Sequence, residues 1–300
     1  MTTRPKPPAE ITIDPSLVRA LLQEQHTDLA QLALIDIGEG WDNKLFRLGD
    51  ALAVRLPRRA ASAALIEHEQ RWLPRLSPRL PLPVPVPLRV GRPGSGFPWS
   101  WSVVPWFAGE SALVAPPQDP APVAATLAQF LRALHQPAPD DAPHNPWRGV
   151  SLATRTKKIR EHVRQLNEVV DSVAVLNLWE HVLVAPSWSG PPMWIHGDLH
   201  PGNLLISGGT LSAVIDFGDL AAGDPATDLS VFWMLPPSAR SIFLASWRGQ
   251  LNPTDDDTWV RARGWALALG LAYTANSQDD EAMGALGRAV IDAALHDSPE

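Results

Sequence analysis

The chain has no cysteine, which excludes disulfides, thiolate metal sites and cysteine nucleophiles. It has one tyrosine against thirteen tryptophans, so most of its large polar-tipped aromatics are indoles, suited to packing and pocket walls. It has no excess of positive charge: a net charge of −7 is the wrong sign for a nucleic-acid partner, whose binders carry a basic patch. It has no apolar run near the ~20 residues that cross a bilayer, so no membrane partner is expected. Met1–Pro8 lacks the apolar core of a signal peptide, and residues 1–10 read as a flexible tail. Lack of cysteine is compatible with a reducing compartment, and the cytoplasm is the expected location.

What is present is globular. An apolar share of 45% against 19% charged excludes a disordered chain, and 300 residues suffice for a two-lobed fold. Asp14 to Gln25 opens with the cap candidates Asp14 and Ser16 and places Leu17, Leu21 and Leu22 on one face, predicting a helix. Leu32–Ile37 reads as a strand running into a glycine-rich turn, Gly38–Asn43. Lys44–Leu48 and Leu52–Leu56 alternate across Gly49 and Asp50, a hairpin signal. Ala60–Leu76 reads as helix, with Pro74 expected to bend it or end it early. Pro81–Pro87 is a connector that cannot be a central strand, and strands follow near Leu88–Gly91 and Trp101–Pro105.

Beyond Gly109 the pattern turns helical, as Leu127, Phe130, Leu131 and Leu134 show. Thr154–Ala185 and Trp259–His296 are also expected to be helical, with short strands at Leu204–Ser207 and Ser212–Asp216 between them. The fold class is therefore α+β: a β-rich lobe over 1–104, a hinge at 105–110 and a mainly helical lobe over 111–300.

The chemistry is concentrated in His196–Asn203 and Asp216–Gly218. Asp198 and Asn203 lie five positions apart in a loop containing glycine and proline, and Asp216 follows Asp198 by eighteen residues at a strand end. Phosphoryl transfer needs a carboxylate to orient the attacking hydroxyl, and an amide oxygen with a second carboxylate for Mg²⁺. The protein-kinase pattern of His-x-Asp, Asn five residues on, then Asp-Phe-Gly is reproduced in order, with Gly197 where kinases carry arginine. A rival reading makes His196, Asp198 and His200 a zinc cluster, but it leaves Asn203 and Asp216 unused. His196 also reads as a buried loop brace. His200 serves loop structure first and substrate or phosphate contact second.

Gly38, Gly40 and Asn43 suit a loop lying over phosphates. The dinucleotide reading of those glycines fails because no helix follows them. Arg55 holds the place of the kinase lysine, where its planar fork can contact phosphate. Glu69 on the next helix is its expected partner and Glu67 the second choice. Val104, at the end of the β-rich lobe, and Trp106 and Phe107 in the hinge are where backbone groups would meet a purine. Asp224 and Asp228 read as loop and helix caps.

On the wording of Ile195–Asn203, Ile215–Gly218 and Gly223–Leu229, and more weakly of Gly38–Asn43 and Val54–Arg58, the sequence resembles the aminoglycoside phosphotransferase family. That family also contains macrolide phosphotransferases and relatives of choline and homoserine kinases. The resemblance implies a bilobal protein-kinase-like fold with a nucleotide, ATP or GTP, in the cleft. It implies Asp198 as catalytic base, Asn203 and Asp216 as Mg²⁺ ligands, and Arg55 with Glu69 as the phosphate-positioning pair. Arg55 in place of lysine resembles the macrolide branch.

The expected acceptor is an antibiotic, macrolide or aminoglycoside; the alternative is a metabolite such as a sugar or amino alcohol, and a catalytically silent nucleotide-binding regulator is a further alternative. A polycationic aminoglycoside wants carboxylates, and from Leu251 onward nine Asp or Glu face three Arg. Asp255, Asp256, Asp257, Asp279, Asp280 and Glu281 are the candidates; a solvated acidic surface is the plainer reading of them. A macrolide wants a broad apolar wall, for which Trp147, Trp233, Trp265 and Tyr273 are the candidates.

Overall fold

Asp14 starts the first helix as its residue type predicts. Its carboxylate accepts the Leu17 N–H at 2.8 Å at the head of α1 (Pro15–Gln25), and Pro15 fills a first-turn position where no N–H is missed. The structure, a computed structural model, describes residues 7–248, 256–277 and 280–298. The chain divides into two compact units, one of Lys6–Ala108 with Ser212–Gly218, the other of Gly109–Leu211 with Asp219–Glu300.

The first unit is built on a five-stranded antiparallel sheet of β1 (Leu34–Glu39), β2 (Asn43–Leu48), β3 (Leu52–Pro57), β4 (Arg89–Gly91) and β5 (Trp101–Pro105). Their order is β1-β2-β3-β5-β4. Side chains alternate across a strand, so Phe46, Leu48, Val54, Leu56, Trp101 and Val103 share one face. There they form a core with Val18, Leu21 and Leu22 of α1. The other face presents Arg55 and Ser102, which are register partners.

That second face is covered by α2 (Ala60–Leu76), whose buried Ser62, Ile66, Glu69, Leu73 and Leu76 recur at three- and four-residue steps. The stripe contains one acid, Glu69. Pro74 does not end the helix early: α2 continues through Leu76. A proline one turn from the end removes a single helical hydrogen bond, and the burial of Trp72, Leu73 and Leu76 holds the last turn in place. Val214 N–H donates to the Pro83 carbonyl at 3.1 Å, which ties the Ser212–Gly218 segment to the proline-rich connector.

The β1 strand sits later than expected. Gly38 lies within it at a register shift, with φ +117°, and its N–H donates to the Asp36 carboxylate at 2.8 Å. A glycine at a bulge permits that φ and extends pairing to Glu39, leaving Gly40, Trp41 and Asp42 as the turn.

The second unit comprises β6 (Glu110–Ser111), α3 (Ala121–Leu134), α4 (Thr156–Gln165), α5 (Ser172–Val182), β7 (Met193–Ile195) and β8 (Leu204–Ser207). β9 (Thr210–Val214) carries the chain into the 212–218 segment. The rest are β10 (Ala221–Gly223), α6 (Ala226–Leu229), α7 (Pro237–Arg248), α8 (Asp256–Asn276) and α9 (Glu281–His296). The short strands pair antiparallel, β7 with β10 and β6 with β8. Phe232, Trp233 and Trp259 pack edge to face in the helical core. No described helix is long and apolar enough to cross a membrane.

Candidate active site

In the second unit, Met193–Ile195 is clamped by β10 and delivers the chain to His196. The loop backbone is then held by one buried carboxylate. Asp228 accepts the N–H groups of His196 at 2.7 Å and Gly197 at 2.9 Å, and lies 3.1 Å from the His135 ring. Asp228 is thus the loop's anchor rather than a cap. Asp224 does cap, accepting the Ala226 N–H at 3.0 Å, and pairs with Arg261 at 2.7 Å. Gly197 has φ +86°, and a Cβ there would lie 2.4 Å from the Asp219 carbonyl oxygen. This explains why no arginine stands at that position: only glycine fits.

His196 is fully buried, and its Nδ1 lies 3.3 Å from the Asp198 N–H, the brace expected of it. His200 Nδ1 accepts the Gly202 N–H at 3.0 Å, which turns Nε2 toward Asp198 at 3.7 Å. Asn203 Nδ2 donates to the Asp198 carbonyl at 2.9 Å, leaving the amide oxygen as an acceptor for a cation. Both histidines accept backbone hydrogen bonds, and the described residues hold no group of three His, Cys, Asp or Glu placed for a metal. That geometry counts against the zinc cluster.

Asp198 faces a cation and a hydroxyl. Arg148 Nη2 lies 3.3 Å from its Oδ1, and the Tyr273 hydroxyl lies 3.5 Å from the same oxygen. Burial alone would raise the Asp198 carboxyl. The His200 hydrogen bond and the Arg148 charge outweigh it and hold the group well below the usual carboxylate range. Burial and the Asp198 charge push the Tyr273 hydroxyl well up.

Arg148 itself is positioned by neighbours. Asn145 Oδ1 accepts the backbone N–H groups of Trp147 and Arg148 at 2.8 and 3.2 Å, while Asn145 Nδ2 donates to Asp219 at 2.7 Å. Asp219 in turn lies 3.5 Å from Arg148 Nε. Residue-type reasoning missed Arg148, Asn145 and Asp219. Asp219 alone carried a signal, as the residue after Asp-Phe-Gly.

In the first unit, Arg55 joins two acids. Its Nη1 lies 2.5 Å from Glu69 and its Nη2 lies 3.3 Å from Asp216. Glu69 is 1% exposed and its Oε1 has no partner among the described residues. Burial raises its carboxyl to about 7, against the pull of Arg55 and with the help of Asp216. Glu67, the second choice, is held at the exposed side of α2 by the Ser100 hydroxyl at 3.0 Å. Asp216 stands in the left-handed region at φ +62° with its side chain 56% exposed. That conformation is costly for a residue with a Cβ and clusters at functional positions.

The 40–42 turn is braced rather than loose. Arg58 donates to the carbonyls of Gly40 and Trp41 at 3.1 and 3.3 Å. Asp42 accepts Arg59 and Ser62 at 2.9 and 2.6 Å, so its carboxylate is committed to structure. Asn43 Oδ1 is buried without a partner among the described residues. Val104 is a buried sheet residue paired with Ala53. Trp106 follows with its N–H on the Ala51 carbonyl at 2.8 Å and its ring under Arg47, and Phe107 is half-buried.

The expected substrate residues divide. His200 and Tyr273 meet at Asp198, their rings edge to face at 5.5 Å. Trp233 is not a substrate wall: it is buried in the aromatic core with its Nε1 donating to the Asp297 carbonyl at 3.0 Å. Trp265 is likewise buried at 1% exposure, while Trp147 is 62% exposed beneath Arg155. Asp280 caps α9 by accepting the Met283 N–H. Asp255, Asp279 and the side chain of Asp256 lie outside the described residues.

The family model described as the phosphotransferase enzyme family matches residues 33–268. No curated protein matches the sequence. Among solved structures, the GDP and kanamycin complex of APH(2")-IIia is similar at TM-score 0.68 and 20% identity, covering 91% of this chain and 96% of that one. Macrolide 2'-phosphotransferase MphH from Brachybacterium faecium is similar at TM-score 0.62 and 22% identity, covering 95% and 100%. The streptomycin and ATP complex of APH(2")-IIa is similar at TM-score 0.58 and 16% identity, covering 95% and 99%. At these identities the likeness is one of fold, which is kinase-like. The family match covers most of the chain, and the chain belongs to the phosphotransferase enzyme family.

Proposed function

We propose that this phosphotransferase moves the γ-phosphoryl group of a nucleoside triphosphate, ATP or GTP, to a hydroxyl of a small molecule, with Asp198 as the base. The observation that carries the reading is the Asp198 carboxylate, kept ionised by His200 and Arg148 on a loop anchored by Asp228. The acceptor oxygen bonds to the γ-phosphorus as the bond to the β-bridging oxygen breaks, the nucleoside diphosphate leaves with that electron pair, and the hydroxyl proton passes to Asp198. A carboxyl held so far down is a weak base. It orients the hydroxyl and takes the proton late, which suits a loose phosphoryl-transfer transition state.

Arg55, held by Glu69, is the phosphate-positioning cation, and its fork suits two oxygens at once. Gly38, Gly40 and Asn43 supply backbone and amide groups over the phosphates, and Val104, Trp106 and Phe107 receive the base. Mg²⁺, when bound, neutralises charge on the phosphates. Each residue is by itself of the ligand type a hard cation takes: the Asn203 amide oxygen is left without a donor, and the exposed Asp216 carboxylate has one oxygen beyond Arg55.

For the acceptor, the fold neighbours named for aminoglycosides and macrolides make antibiotics the first compounds to screen. A metabolite acceptor is the second reading: Trp233 is core and Asp280 is a helix cap, so neither of these two side chains serves an antibiotic. The absence of cysteine suits a cytoplasmic enzyme.

The test is nucleotide consumption with ATP and with GTP across aminoglycosides, macrolides and small hydroxy compounds. Asp198→Ala is expected to cut acceptor-dependent turnover by about 10²-fold or more while the protein stays folded by circular dichroism. Retained turnover would remove Asp198 from the mechanism. Metal-dependent nucleotide binding with no turnover on any acceptor would favour a silent regulator instead.

A further inference from the structure

Beside the Asp198 loop, within the second unit, lies a cavity of about 20 Å³ between α4 and α8. Its polar lining is Arg148, Arg155, Lys158, His162 and Trp265, the remainder is apolar, and no acid lines it. Arg148 belongs to both places, since its Nη2 is also 3.3 Å from Asp198.

Two donors in this wall have no side-chain or backbone acceptor among the described residues. Trp265 is 1% exposed and its Nε1 has no partner among the described residues, and a buried N–H without an acceptor is costly. Arg155 is half-buried and makes no ion pair among the described residues; its guanidinium lies 5.4 Å from the Trp147 ring centroid. Burial first, and the charge of Arg148 second, depress its pKa, the pattern of a cation set beside another cation. Lys158 is turned outward to Glu161 at 3.1 Å. Arg148 and Lys158 are matched by acids, so Arg155 and the indole N–H are the groups in this wall that complement an anion. The volume admits about one water-sized group, which matches the tip of a carboxylate.

We infer that the acceptor is a small hydroxy acid, its carboxylate seated against Arg155 and the Trp265 N–H while its hydroxyl reaches Asp198 past Arg148. This rests on the phosphotransferase reading and gives it a substrate class. A polycationic aminoglycoside would bring its charge against Arg148 and Arg155.

The test compares glycerate, glycerol, ethanolamine and kanamycin as acceptors at equal concentration, reading both nucleotide consumption and phosphorylated acceptor. Glycerate is expected to exceed glycerol by at least tenfold in kcat/KM, with ethanolamine and kanamycin below both. Arg155→Gln is expected to raise the KM for glycerate at least tenfold, lower kcat less, and erase the preference over glycerol; Arg155→Lys restores part of it. Trp265→Phe, which keeps the packing and removes the N–H, is expected to raise the same KM severalfold.

Turnover confined to kanamycin, ethanolamine or glycerol, or a glycerate preference untouched by both Arg155→Gln and Trp265→Phe, overturns the inference and leaves phosphoryl transfer standing. No acceptor-dependent turnover with any compound, and no difference between the wild type and Asp198→Ala, overturns both.

Discussion

Two arginines in this protein each bridge two acids, and their partners are pushed in opposite directions. Arg55 joins Glu69 and Asp216, and Glu69 rises to about 7. Arg148 joins Asp198 and Asp219, and Asp198 falls well below its ordinary range. The partner type is the same, so the surroundings decide. Glu69 is sealed under α2 with one oxygen unpartnered, and desolvation outweighs its single cation. The Asp198 side chain is 30% exposed, and the His200 hydrogen bond together with the Arg148 charge outweighs the same penalty. One arginine is held by a buried strut; the other holds a charge ready for use.

That contrast is sharpest in stability. Arg55→Ala leaves an unpaired acid under α2 and is expected to cost about 3–5 kcal/mol in denaturant unfolding. Arg148→Ala leaves acids that water can reach, and about 1–2 kcal/mol is expected. Equal losses would mean that burial does not separate the two pairs.

The pH dependence follows next. The folded Glu69 carboxyl, at about 7, lies above its ordinary value of 4.5. Between those values the folded state keeps a proton that the unfolded state has lost, so stability falls as pH rises through that window. Asp198 has the opposite sign: its contribution is present above the ordinary carboxylate value and is lost as acid approaches its depressed one. Glu69→Gln should flatten the stability profile between about pH 4.5 and 7. An unchanged slope would assign that proton elsewhere. Smallest of all, Glu67→Ala should change stability by about 0.5 kcal/mol or less, because its only described bond is to the exposed Ser100 hydroxyl. A loss near that of Arg55→Ala would transfer the strut from Glu69 to Glu67.

Much of this was legible in residue order. His196, Asp198 and Asn203 are contiguous enough for spacing to reveal them, and β5, β8 and α2 follow their periodicity to the residue. Other parts were hidden for physical reasons. β7 and β10 are three residues long, too short for alternation to register, yet they aim the His196–Asn203 loop. Arg148 sits in an irregular loop fifty residues before Asp198, and only folding brings them together. Trp233 shows a different limit, because an indole suits a core as well as a pocket wall, and burial alone distinguishes the two. Asp228 looked like a helix cap by its neighbours in sequence, whereas its acceptors serve the backbone at His196 and Gly197.

The most direct measurement is ³¹P NMR of the wild-type protein with nucleoside triphosphate, Mg²⁺ and a hydroxyl acceptor, run beside Asp198→Asn. The account predicts one new phosphomonoester on the acceptor for each nucleoside diphosphate formed, and neither with Asp198→Asn. Inorganic phosphate as the sole product, or an equal phosphomonoester yield from the variant, would contradict it.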